Sequence, residues 1–355
     1  MGLGAIVVIG AEREGIRSIA APGSGQETPL AEPLAYVDIL GRSTVERTIE
    51  RLGRADVEMV TVLATAGKLH GTPVSIGAFD NVNVQVVADV SSVMAHQLKD
   101  YLQKGIEHSF VVSANVYAEA DLLDLFYFHR EARQAATRCF DHEGPLDLWV
   151  VDCAKAQQPD LDSLLTQAQK PGASYFIRDY VCRLTHPRDI RRLVSDALCG
   201  RCTMRPSGRE IKPSIWVDEG AEIHRGARIV APAYIGRRSK VQEDTLITRL
   251  SNIERDCYVD CGTVIEDSSI LANTHVGIWL DVCHAIASRN KLLSLGRDVV
   301  VEISDLSVMR SNGAAKKGSD LSHQYIEQQI VAGIQQEQAP TPQTCGLEPI
   351  LSRGD

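Results

Sequence analysis

Between residues 217 and 271 an aliphatic residue recurs at every sixth position: Val217, Ile223, Ile229, Ile235, Val241, Ile247, Ile253, Val259, Ile265 and Leu271. Two residues before each of the last nine stands a small one: Ala221, Ala227, Ala233, Ser239, Thr245, Ser251, Cys257, Thr263 and Ser269. An amphipathic helix repeats near 3.6 residues and a two-faced strand at 2, so neither explains a period of six. One aliphatic and one small residue per six is the mark of a hexapeptide-repeat β-helix. Each hexapeptide supplies a short strand and a turn, and three close one triangular coil. Residues 18 apart then stack about 4.8 Å apart. The pattern predicts three inward ladders: Val217, Ile235, Ile253 and Leu271; Ile223, Val241 and Val259; Ile229, Ile247 and Ile265. A narrow interior requires the second inward position to be small. The open ends of so few coils need a cap or a partner. Ile211 is in phase, but its companion position holds Arg209, so the regular repeat starts at Val217. Trp216 and Trp279 flank the repeat and are expected to plug its ends.

The first 198 residues follow a different rhythm. Ala5–Ile9 is a continuous apolar run suited to a buried parallel strand. Residues 44–52 have helical periodicity, and residues 58–64 and 82–88 read as strands. Residues 92–106 read as a helix capped by Ser91 or Ser92. A strand at 110–113, a helix at 119–133 and strands at 148–151 and 175–177 follow. Residues 187–198 form a helix with Pro187 in its first turn. Alternation of this kind predicts a three-layer α/β domain. The expected organisation is an α/β domain over 1–198, a junction over 199–214, and a β-helix with its cap over 215–304. Within the last of these, the coils are expected to end near 277 and Val299–Ile303 to form a final strand. The Gly, Ser, Gln and Pro content of 305–355 predicts a disordered tail, with a short helix near 324–336.

Composition narrows the function classes. The chain has 355 residues and a net charge of −9, with no basic stripe of the kind that binds nucleic acid. No apolar run is long enough to span a membrane, and residues 1–10 lack the basic start of a secretory signal. Nine irregularly spaced cysteines point to reduced thiols and a cytoplasmic location.

Three segments carry a resemblance. They are AIVVIGAEREGIR at 5–17, PLAEPLAYVDILGRSTVERTIERL at 29–52, and FVVSANVYAEADLLDLFYFHR at 110–130. In this order, and followed by hexapeptide repeats, they resemble the sugar-nucleotide pyrophosphorylases, a family that includes mannose-1-phosphate guanylyltransferase. The resemblance implies a Rossmann-like, GT-A-like nucleotidyltransferase domain followed by a short left-handed parallel β-helix. It also implies transfer of a nucleotidyl group from a nucleoside triphosphate to a sugar-1-phosphate. That chemistry uses backbone N–H groups of a glycine loop for the phosphates, basic residues for the developing charge, and carboxylates to hold Mg²⁺. By the resemblance, nucleotide contacts fall to Gly10, Ala11, Arg13, Gly15 and Arg17, with Arg42 a further phosphate contact.

The chain departs from the family where the chemistry resides. Glu12 and Glu14 put negative charge in the phosphate loop. Glu32 replaces the lysine of a Lys-Pro pair, Asn115 replaces one metal-binding aspartate, and Arg183 aligns with the other. Mg²⁺ favours carboxylate oxygen, so these replacements predict lost catalysis and no metal site. The expectation is a catalytically degenerate sugar-nucleotide protein. It would have a binding or regulatory role in polysaccharide or cell-envelope precursor metabolism, form a homo-oligomer through the β-helix, and work with a possible partner enzyme. The alternative is an active sugar-1-phosphate nucleotidyltransferase using Mg²⁺, with Glu119 or Asp121 substituting for the lost aspartate. A third reading is a hexapeptide acyltransferase with His224, or else His275, as general base. Cys199 and Cys202 form a lone pair behind a helix C-terminus, a poor setting for redox work. Cys257 and His275 are 18 apart and would stack, but Cys257 fills a small-residue slot without needing a metal.

Overall fold

The computed structural model describes residues 2–9, 33–65, 82–88, 90–157 and 174–312. Residues Met1–Gly313 form one compact unit, and Ala314–Asp355 are grouped as a second that lies outside the described residues. The expected helix near 324–336 therefore also lies outside them. No described helix is long and apolar enough to cross a membrane.

The first half contains β1 (Gly2–Ile9), α1 (Thr44–Arg54), β2 (Met59–Thr65), β3 (Val82–Val87), α2 (Val90–Gln103), β4 (Ile106–Ser113), β5 (Val116–Ala118), α3 (Leu122–Ala132), β6 (Ala136–Asp141), β7 (Gly144–Asp152), β8 (Ser174–Phe176), β9 (Val181–Arg183) and α4 (Pro187–Leu198). Seven strands make one sheet in the order β8-β6-β7-β4-β1-β2-β3. Only β7 runs antiparallel to its neighbours. Alternate residues of β1 serve opposite faces. Leu3, Ala5, Val7 and Ile9 pack with Val45, Ile49 and Leu52 of α1 and Leu125 of α3. Ile6 packs with Met94, Leu98 and Tyr101 of α2. A mixed sheet covered in this way fits a Rossmann-like domain. Strand β6 was not foreseen, because its buried positions include Thr137, Arg138 and Asp141 and break the apolar run.

Helix ends follow side-chain chemistry. Ser43 and Glu46 form a reciprocal capping box at α1. Helix α3 starts at Leu122 and not at Glu119, because Asp121 caps it by accepting from the N–H groups of Leu123 and Asp124. Helix α4 matches its predicted span, with His186 as the cap.

In the second half, short strands pair in parallel with partners 18 residues on: Ile223 with Val241, Ile229 with Ile247, and Ile235 with Ile253. Three such ladders of parallel strands are compatible with a β-helix. The small column does more than save space. Ser239 Oγ donates to the Glu254 carbonyl at 2.6 Å, and Thr263 Oγ1 donates to the Gly277 carbonyl at 2.6 Å. Ser239 Oγ also accepts the Cys257 N–H at 3.0 Å, so the hydroxyls stitch successive rows together.

The hexad fails at two turns, first between Ile265 and Ile270 and again between Val282 and Ala287, where the step is five residues. Ile253 pairs with Ile270, and Asn252 with Ser269, at an offset of 17. Ile270 therefore takes the ladder place expected for Leu271, and Ser268 takes the small slot expected for Ser269. The turn there, with Asp267 at φ 45°, is one residue short. Leu271 instead faces Ile190, Leu193 and Val194 of α4 in a core shared by both halves. Both residues are buried and aliphatic, so the sequence alone could not separate them. The same shift pairs Tyr258, not Cys257, with His275, so the expected Cys257–His275 stack does not form.

The ladders also run past residue 277, with Ile265 paired to Val282 and Ile270 to Ala287. Strand Lys291–Ser294 and then strand Val299–Glu302 add antiparallel to the end of the first ladder. Met309–Ser311 is a strand with Met309 buried, so the tail cannot begin at 305. Ile211 is exposed on an antiparallel strand, outside the ladders. Trp216 packs against the shared core, but Trp279 is 62% exposed and lies over Gly262, so it plugs nothing.

Candidate functional site

After β1 the chain runs to β2 and β3 on one side, then returns to β4 on the other. The carboxyl ends of β1 and β4 are thus the switch point of the sheet, where open α/β folds bind ligands. Ala114, just past β4, donates its N–H to the Val8 carbonyl at 3.0 Å. Buried Thr44 Oγ1, at the start of α1, contacts the carbonyls of Ala114 (2.9 Å) and Ala35 (3.1 Å). One hydroxyl therefore gathers the Pro33–Tyr36 segment against Asn115. The Asn115 carbonyl accepts the Leu184 N–H at 2.7 Å, and Arg183 stands opposite Val116 in the β9–β5 pair. Two positions far apart in sequence, Asn115 and Arg183, are neighbours here.

Arg183 is fully engaged. Its Nη1 and Nη2 donate to the two Asp141 oxygens at 2.7 and 2.6 Å, and Nη1 also reaches Glu143 at 2.8 Å. Asp141 further accepts the N–H groups of Glu143 and Gly144. Burial acts to raise the Asp141 carboxyl, but the Arg183 fork and these N–H groups outweigh it and hold it below the ordinary range. The same carboxylate bond raises the Arg183 guanidinium.

The acids offered as substitute metal ligands have other work. Glu119 Oε1 accepts from the Thr203 N–H (2.5 Å), from Thr203 Oγ1 (2.6 Å) and from Tyr117 Oη (2.9 Å). Asp121 caps α3. Among the described residues no group of three or more His, Cys, Asp and Glu could hold a metal ion. Mg²⁺ does not fit the donors at Asn115 and Arg183, a neutral amide and a guanidinium already paired with carboxylates.

Gly10, Ala11, Arg13, Gly15, Arg17, Glu12, Glu14 and Glu32 lie outside the described residues. Arg42 pairs with Glu50 on α1 at 2.7 Å. His224 lines a cavity of about 260 Å³ with Ile211, Lys212, Ile223 and Arg225. Its Nδ1 accepts the Gly226 N–H at 3.2 Å. His275 is buried, bonded through Nε2 to Asp260 at 2.9 Å and set edge-on to Tyr258. Cys199 closes the last turn of α4 and, like Cys202, is a free thiol.

Sequence reasoning missed Glu254. It is wholly buried in the repeat region, where a hexapeptide rule gives no warning of a charge. Its carboxylate accepts the N–H groups of Leu40 (2.8 Å) and Gly41 (2.9 Å), and Asn252 Nδ2 at 2.6 Å. Leu40 and Gly41, both at positive φ, form the tip of a two-residue hairpin from the first half. Asp38 in that hairpin pairs with Arg255 at 2.5 Å. Burial, then the Asp38 carboxylate, push the Glu254 carboxyl up to about 7.

No protein-family model and no curated protein matches this chain. Among solved structures it is similar to a Bacillus anthracis chain named as a glucose-1-phosphate thymidylyltransferase, solved with sucrose. The TM-score is 0.39 at 7% identity, over 54% of this chain and 93% of that one.

Proposed function

We propose that the α/β half is a sugar-nucleotide-binding domain that has lost nucleotidyl transfer, joined to a left-handed hexapeptide β-helix. Its role is binding or regulation in sugar-nucleotide metabolism, in the cytoplasm. The observation that carries this reading is the Arg183–Asp141–Glu143 cluster beside Asn115, at the switch point of the sheet. A transferase needs dense negative charge there to hold Mg²⁺ against the triphosphate. This chain offers a cation whose charge its own carboxylates already neutralise. A diphosphate ester can still bind through backbone N–H groups, which need no metal.

Calorimetric titration with nucleoside triphosphates and sugar nucleotides, with and without Mg²⁺, tests the reading. The expected result is binding of a sugar nucleotide that Mg²⁺ does not strengthen, with no pyrophosphate released. Mg²⁺-dependent triphosphate binding with turnover would overturn it in favour of an active transferase.

A further inference from the structure

The first ladder does not stop at the last parallel strand. Pairing carries one row of side chains from Val217 through Ile235, Ile253, Ile270, Ala287 and Leu292 to Val301. Paired residues share a face, so this is a single apolar row across seven strands. Its first members are interior, yet its last is 48% exposed. Val299 and Val300 beside it are also exposed, and among the described residues strand Val299–Glu302 is the outer edge of its sheet. A flat apolar edge with unpaired backbone groups is a template for another strand.

The bonding phase limits what can add there. Ile303 donates its N–H to the Asn290 carbonyl at 2.7 Å. By antiparallel alternation Val299 and Val301 also turn their backbone groups inward, and those of Val300 and Glu302 face out. A second copy of the same strand, related by a two-fold axis, can add in three nearby registers. Centring on Val300 sets Asp298 against Glu302 of the second copy. Centring on Glu302 sets the two Glu302 carboxylates against each other. Centring on Val301 brings no acids together, since Val300 meets Glu302 and Val299 meets Ile303. That register also sets the basic approach to one strand, Arg297, towards the acidic exit of the other, Asp305. It continues the apolar row from Val301 into Val301 of the second copy.

We propose that this chain dimerises by two-fold antiparallel pairing of strand Val299–Glu302, centred on Val301. Four backbone hydrogen bonds and one apolar face hold the pair. So small a contact predicts a weak, reversible dimer.

Sedimentation of the full chain across a concentration series tests this, with Val301→Lys and Val301→Cys as variants. The wild type should be a monomer–dimer equilibrium. Val301→Lys changes an exposed side chain and so should keep the fold by circular dichroism. It should weaken the dimer at least ~30-fold, because the two ammonium groups meet on the axis. Under oxidation Val301→Cys should form a 301–301 disulfide found by peptide mapping, because non-bonded antiparallel pairs lie within disulfide reach. Val300→Cys, which faces Glu302, should not link to itself. A wild type monomeric up to millimolar concentration would overturn the proposal, its edge then being covered by its own chain or left bare. So would a dimer that Val301→Lys leaves unchanged, or a 300–300 link forming as readily as 301–301.

Discussion

The repeat region behaves differently on the sides turned away from the α/β half and on the side that meets it. Away from that half each step is six residues: aliphatic residues inward, hydroxyls stitching rows, and partners 18 apart until a shortened turn intervenes. Where the halves meet, the rule breaks. Two turns lose a residue, the first of them turning Leu271 out of the ladder, and a carboxylate is buried at Glu254. Arg191 of α4, also buried, donates to the carbonyls of Leu250, Arg249 and Asp267 and to the Asp267 carboxylate. Repetition encodes contacts between neighbouring rows. Departures from it encode contacts with something outside the repeat.

Substitutions on the two sides should separate these roles. The largest effect is expected inside a regular ladder. Ile247→Asp buries an unpaired charge and should cost about 4 kcal/mol or more, lowering Tm by roughly 10 °C in calorimetry. At the junction, a Cβ on Gly41 would lie 2.3 Å from Tyr234 Oη, at φ 91°. Gly41→Ala should therefore cost about 2–3 kcal/mol by denaturant unfolding. Gly105→Ala, at φ 83° with open space around it, should cost only about 1. Equal losses would show that the hairpin seat is not tightly packed.

Arg183→Leu leaves Asp141 without its fork and should cost about 1–2 kcal/mol at neutral pH, since solvent reaches part of the pair. Asp141 has its carboxyl lowered on folding. Its contribution is present above the ordinary aspartate range and lost as pH falls through the folded value, so the variant should lose less stability below pH 4 than the wild type. Glu254 has the opposite sign. The folded chain keeps a proton up to about pH 7 that the unfolded chain releases near 4.5, so stability falls as pH rises through that window. In Glu254→Gln that slope should vanish, a difference of a few degrees in Tm between pH 5 and 8. The smallest effect concerns activity. Asn115→Asp alone should give no detectable transfer, because Arg183 still stands beside it. Measurable pyrophosphate release would mean that one carboxylate is enough.

Much of this was legible in advance for physical reasons. Continuous apolar runs marked β1 and β4, and Pro187 in a first turn marked α4, because burial and helix starts act over a few residues. The contact between Asn115 and Arg183 was legible only through resemblance, since the antiparallel pairing of β5 with β9 joins residues nearly seventy apart. The choice between Ile270 and Leu271 was not legible at all. Two adjacent buried aliphatics are chemically equivalent until the helix that receives one of them is in place. Glu254 was hidden for a related reason: its partners are backbone N–H groups of a hairpin more than two hundred residues away.

The short turns also make the rows distinguishable. In an unbroken hexad, any row could be exchanged for the one eighteen residues away with the same neighbours, and the first half would face several near-equivalent seats. Shortening two of the turns by one residue removes that degeneracy. Only one row offers Leu271 outward together with the Asp267 carbonyl, so the α/β half has one address on a surface that otherwise repeats.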